Sequence, residues 1–159
     1  MSEVHDFFVA SVGAAAAFIG LLFVAVTLAP ERIFGPDAHP KRRADATRAF
    51  VALANIFLIS LAALIPHSGL EIMLLVCVLS IAQLGREALR ATRHHPISQV
   101  LRSFGLISLV IYVFEFWIIL QAMGNGRSIE GLLGVIFGLF AYALATSWNL
   151  LGAKDTPAS

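Results

Sequence analysis

Long apolar runs alternate with shorter polar stretches along the chain. Five runs stand out, at residues 7–29, 49–66, 69–85, 104–123 and 131–151. A helix needs about 20 residues to cross a hydrocarbon core of about 30 Å. The pattern therefore predicts an all-α protein, an integral membrane bundle of five transmembrane helices forming a single domain over 1–159. Between the second and third runs lie only Pro66, His67 and Ser68. Pro66 ends one helix, and Ser68 with Glu71 three residues later has the spacing of a capping box for the next. The opening "MSEVHDFF" carries Glu3 and Asp6 but no Lys or Arg. A signal peptide has a positive start, so the first run is expected to persist as a helix of the mature protein.

Composition makes the bilayer the expected solvent. Hydrophobic residues are 58% of the 159 and charged residues 13%, with a mean hydropathy of +0.85. Soluble domains carry about 25% charged residues, and a domain this small has too much surface to hide the excess of apolar side chains from water. The charge distribution then sets an expected orientation, because Lys and Arg collect on the cytoplasmic side. Arg32, Lys41, Arg42, Arg43 and Arg48 follow the first run, Arg86, Arg90, Arg93 and Arg102 follow the third, and Lys154 lies in the tail; Arg127 stands on the opposite side. This split requires an odd number of spans, with the N-terminus outside and the C-terminus in the cytoplasm. The basic cytoplasmic loops are 30–48 and 86–103. Lys41, Arg42 and Arg43 are candidates for anionic-lipid contact, though enforcing topology already accounts for them. The third helix is expected to continue past the membrane until Pro96 stops it.

Against this background one residue is out of place. "LVIYVFEFWIIL", residues 109–120, holds eleven apolar residues and Glu115. At 1.5 Å per residue Glu115 lies about 17 Å from the inner boundary, near the midplane. Facing lipid as an ion would cost roughly 3 kcal/mol on insertion scales, so it should face protein. On a helical wheel Ser108, Tyr112, Ile119 and Ala122 share its side, while Phe114, Phe116 and Trp117 do not. Asn55 shares a stripe with Arg48, Ala52 and Ala62, and Gln83 lines up with Ser80. These polar faces, if they converge, make either an inward-open cavity ending at Glu115 or a bundle held by interhelical hydrogen bonds. Glu115, Tyr112, Ser108, Asn55, Gln83 and Ser80 are the candidates for proton or cation binding; structural glue is the competing reading.

Two stripes of small residues come next. Gly131, Gly134, Gly138, Ala141 and Ala145 fall at three- and four-residue steps, and Gly13 with Ala17, like Ala16 with Gly20, is spaced by four. In a bilayer such smooth faces let helices approach closely. Packing within the chain is the first expectation and a seam between copies the second. The segment "DFFVASVGAAAAFIGLLFVAVTL", residues 6–28, resembles the opening helix of a group of small bacterial inner-membrane proteins with the signature "GAAAAxxGLLFVA". Some of these are linked to modulation of the membrane protease FtsH. The resemblance covers about one helix in five. It implies a bacterial inner membrane and a non-enzymatic role.

The residues offer little for catalysis. There is no second intramembrane carboxylate, no HExxH, no Walker loop and no cofactor fingerprint, so neither an enzyme nor a cofactor is expected. Cys77 stands alone in an apolar run, which excludes a disulfide within the chain and suits a small buried hydrophobe. His94 and His95 point about 100° apart on a helix with no further ligand nearby, so no metal site is expected. The expected partners are the lipid bilayer, a second copy or a larger membrane protein, and no nucleic acid. Two functions remain open: an accessory or assembly protein working through its Gly/Ala faces, or an oligomeric channel or transporter for protons or small cations using Glu115. Inverted repeats are disfavoured, because five spans do not halve.

Overall fold

The computed structural model describes residues 2–28, 30–35, 40–66, 69–92, 106–125 and 131–152. They form five long helices and one short one. These are α1 (Ser2–Leu28), α2 (Pro30–Phe34), α3 (Pro40–Ala63), α4 (Gly69–Thr92), α5 (Leu106–Asn125) and α6 (Gly131–Gly152). Each apolar run has become one long helix. By length and composition α1, α3, α4 and α6 can cross a membrane, and α5 contributes a shorter apolar stretch, Leu109–Gly124. The regular structure among the described residues is all-helical, with helices of the kind a membrane protein needs.

The starts of two helices differ from the sequence expectation. α1 begins at Ser2, with Glu3 in its first turn, where a carboxylate complements the exposed N–H groups. α3 begins at Pro40, so much of the expected basic loop is helix. Proline suits a first helical position because its missing N–H would be unpaired there anyway, and the Lys, Arg and Ala that follow are strong helix formers. Lys41, Arg42 and Arg43 are therefore the opening turn of α3 and not loop residues. Arg43 is exposed and Arg42 half-buried, while the side chain of Lys41 lies outside the described set.

Four helices close a ring. α3 packs on α4, α4 on α5, α5 on α6 and α6 back on α3, while α1 lies along the outside of α3. Ring contacts between Phe7 and Phe137 and between Phe18 and Phe140 tie α1 to α6 as well. α3 is the hub. Ala46, Ala49, Leu53, Ile56, Ile59 and Ala62 are all buried, which leaves it little outward face, and its alanines allow neighbours to come close. α4, α5 and α6 each bury one stripe at helical spacing: Met73, Val76 and Cys77; Tyr112, Glu115 and Ile119; Leu132, Val135, Ile136 and Leu139. Outward from the ring stand large apolar side chains, Leu21, Phe23, Val110 and Phe137 among them, and Trp148 is 76% exposed. In water that surface would drive aggregation; against acyl chains it is the expected covering.

α3 ends at Ala63, three residues before the Pro66 that was expected to stop it, so the connection to α4 is longer than its sequence implies. After Ala63 the chain tightens, Leu64 N–H donating to the Leu61 carbonyl at 3.1 Å and Ile65 N–H to that of Ala62 at 3.0 Å. Gly69 then opens α4 so close to α3 that a methyl group there would collide with the Ala62 carbonyl. His67 and Ser68, and with them the expected cap, lie outside the described residues, as do His94, His95 and Pro96.

Candidate functional site: a carboxyl and a carboxamide inside the helix ring

Glu115 is 0% exposed and Asn55 2%. They come from α5 and α3, helices across the ring from one another, and Asn55 Nδ2 donates to Glu115 Oε2 at 2.9 Å. The remaining oxygens, Glu115 Oε1 and Asn55 Oδ1, are buried without a hydrogen-bond partner. The local sequence explains the placement. Tyr112, Ile119 and Ala122 share the Glu115 stripe and are buried, whereas Phe114 and Trp117 stack on each other outside. Phe116, expected to point away, is half-buried against the core. Asn55 has Ala52 one turn away, fully buried, and such a small neighbour leaves room for a polar contact across the ring.

α4 supplies the third wall. Cys77 is fully buried, its thiol donating to the Tyr112 carbonyl at 3.5 Å. One turn further along α4, Ser80 enters a small cavity together with Arg48, Gln83, Tyr112 and Tyr142. Its volume of about 20 Å³ is room for about one water. Tyr112 belongs both to this cavity and to the Glu115 stripe, one turn before the carboxyl. At the end of the ring Arg48 Nη1 donates to Asp45 Oδ1 at 3.4 Å, and both side chains are largely buried.

The expected site residues thus separate into groups. Glu115 and Asn55 meet directly. Tyr112, Ser80 and Gln83 gather around the cavity with Arg48, toward the N-terminal end of α3. Glu115 is not on the lining, so the cavity stops short of the carboxyl. The side chain of Ser108 lies outside the described set. Asp45 and Tyr142 were missed by sequence reasoning. The expected loop 30–48 contains Asp45; with α3 starting at Pro40, its three-residue spacing to Arg48 is an ordinary helical ion-pair signal. Tyr142, an aromatic with a polar tip beside the apolar stripe of α6, carried that weaker signal.

The small-residue stripes lie elsewhere than expected. Gly13, Ala17, Gly20, Gly131, Gly134, Ala141 and Ala145 are exposed, and Gly138 is half-buried. A methyl group added at Gly13, Gly20, Gly134 or Gly138 would meet nothing within 4 Å; at Gly131 it would touch Ile118 of α5. Apart from that contact, the stripes do not form the close packing within the chain. The reason is volume: the centre of a four-helix ring must be filled, so α6 turns its leucines and isoleucines inward and its glycines out. The described contacts leave these faces free.

Comparison with known proteins finds no matching family model, no similar curated protein and no similar solved structure.

Proposed function

We propose that the chain is a polytopic inner-membrane protein of five spans, N-terminus outside, acting as a non-enzymatic accessory or assembly subunit through its Gly/Ala faces. The observation that carries this reading is the outward, unfilled small-residue stripe of α6, matched by that of α1. Lipid tails are as apolar as leucine, so lateral association in a bilayer depends on close backbone approach, and these faces offer it to a second copy or a larger membrane protein. The resemblance of the first helix points the same way. The test is cross-linking in native membranes followed by size analysis in mild detergent. Replacing both Gly134 and Gly138 by Leu should convert a cross-linked assembly to a monomer; a parent protein that is already monomeric and captures no membrane partner ends the proposal.

A second reading is favoured by the unpartnered Glu115 Oε1 and the cavity one turn away. In it the protein binds or conducts protons or small cations, because ionisable residues inside a membrane are functional by default. Proton or cation flux in liposomes that survives Glu115→Gln would remove it.

A further inference from the structure

Two oxygens are left over where Asn55 and Glu115 meet, one on each residue. If Glu115 is ionised, both are acceptors and neither residue can satisfy the other. Among the described residues the surroundings supply no remedy. α4 presents Cys77, whose thiol is already given to the Tyr112 carbonyl. The buried stripe of α6, Leu132, Val135, Ile136 and Leu139, is apolar. On α5 itself Tyr112 turns toward the cavity, where Tyr142 of α6 also stands. On α3 the Asp45–Arg48 ion pair lies two turns from Asn55, about 10 Å along the helix.

We infer that Asn55 and Glu115 form a binding site for one exchangeable proton, separated from the nearby cavity by Tyr112, which lines that cavity and lies one turn from the carboxyl. A single hydrogen on the Glu115 carboxyl removes a buried charge and supplies the donor that Asn55 Oδ1 lacks, so one addition satisfies the pair. A metal cation fits poorly: hard cations such as Ca²⁺ and Mg²⁺ take six or more oxygens, and this pair holds three side-chain oxygens, one of them already accepting from Asn55. Water fits the cavity better than the pair, since it needs two to four polar partners and its own volume. The cavity is therefore the waiting place for the water that exchanges the proton, and Tyr112 is the residue common to both. The inference rests on the second reading above and names its ligand.

The test is carried out on the full chain in liposomes with dicyclohexylcarbodiimide, a lipophilic reagent that captures neutral carboxyl groups. The carboxyl O–H adds across one C=N bond, and the acyl group then migrates to nitrogen to give a stable N-acylurea, located by peptide mass spectrometry. The adduct is expected on Glu115 and lost in Glu115→Gln. Its yield should fall at least tenfold as pH is raised and stay constant as sodium is raised at fixed pH. Infrared spectra of the unlabelled protein should show a protonated-carboxyl band that disappears in Glu115→Gln. A yield indifferent to pH overturns exchangeability. Protection by sodium overturns the choice of the proton, and absence of both adduct and band overturns the site. A titrating adduct without proton flux in the same liposomes keeps the site and removes transport; flux that requires Glu115 without a titrating adduct does the reverse.

Discussion

Asn55 and Glu115 stand 60 positions apart in the sequence and 2.9 Å apart in the fold, Nδ2 to Oε2, inside a ring of four helices. The bond crosses the ring from α3 to α5, so it measures how well all four helices are assembled. Its energetics yield the first prediction. Asn55→Leu leaves the carboxyl with no side-chain donor and should cost about 1–3 kcal/mol, above the average of about 0.6 for a hydrogen bond between membrane helices. Glu115→Gln keeps an acceptor for Asn55 Nδ2 and adds a donor for Asn55 Oδ1, so it should be neutral or stabilising. Thermal unfolding in one detergent orders the variants. Equal losses in both would show that the pair contributes shape alone.

Small residues should behave oppositely on α3 and α6. Ala52 is fully buried against its neighbours, and Ala52→Leu should destabilise by about 1–3 kcal/mol through overpacking. Gly134→Leu places its side chain in open space and should leave the midpoint of the detergent-solubilised monomer within a few degrees of the parent. A large loss at Gly134 would mean that the stripe packs within the chain after all.

The docking of α1 is tested by a pair of phenylalanines. Phe8 is 1% exposed and Phe23 55%. Phe8→Ala should cost about 3 kcal/mol through the cavity it leaves, while Phe23→Ala should cost little, since its ring meets Phe50 only edge-on at the outer surface. Limited proteolysis between α1 and α3, compared in the two variants, reads the difference. Equal protection would show that α1 is held by something other than this face.

Cys77 provides a probe without mutation. Its thiol is buried and bonded to α5, so maleimide should react with it in the folded protein at least a hundredfold more slowly than after denaturation. Rapid stoichiometric labelling under native conditions would show that the α4–α5 contact opens readily.

Much of this was legible in the sequence, and the failures have physical causes. The stripe of Tyr112, Glu115, Ile119 and Ala122 could be read because a charge inside an apolar helix has one tolerable direction. Asn55 followed for the same reason. Their direct contact could not be read, since facing inward does not say which helices lie across a ring. The glycine stripe misled because small residues permit close approach without saying whose. α6 uses the opposite face to fill the ring, and α3 supplies the alanines. The basic turn at Lys41–Arg43 looks like a loop in the sequence because its charge masks helix-forming residues.

The central claim is residence in a bilayer with the basic opening of α3 on the cytoplasmic side, since the depth of Glu115 and the meaning of the outward stripes follow from it. The most direct measurement is labelling of intact cells with a membrane-impermeant maleimide, using Ser2→Cys and Arg43→Cys separately in a Cys77→Ala background. Ser2→Cys should be labelled in intact cells and Arg43→Cys only after permeabilisation. Labelling of Arg43→Cys from outside would contradict the claim, as would recovery of the chain in the aqueous fraction after gentle lysis.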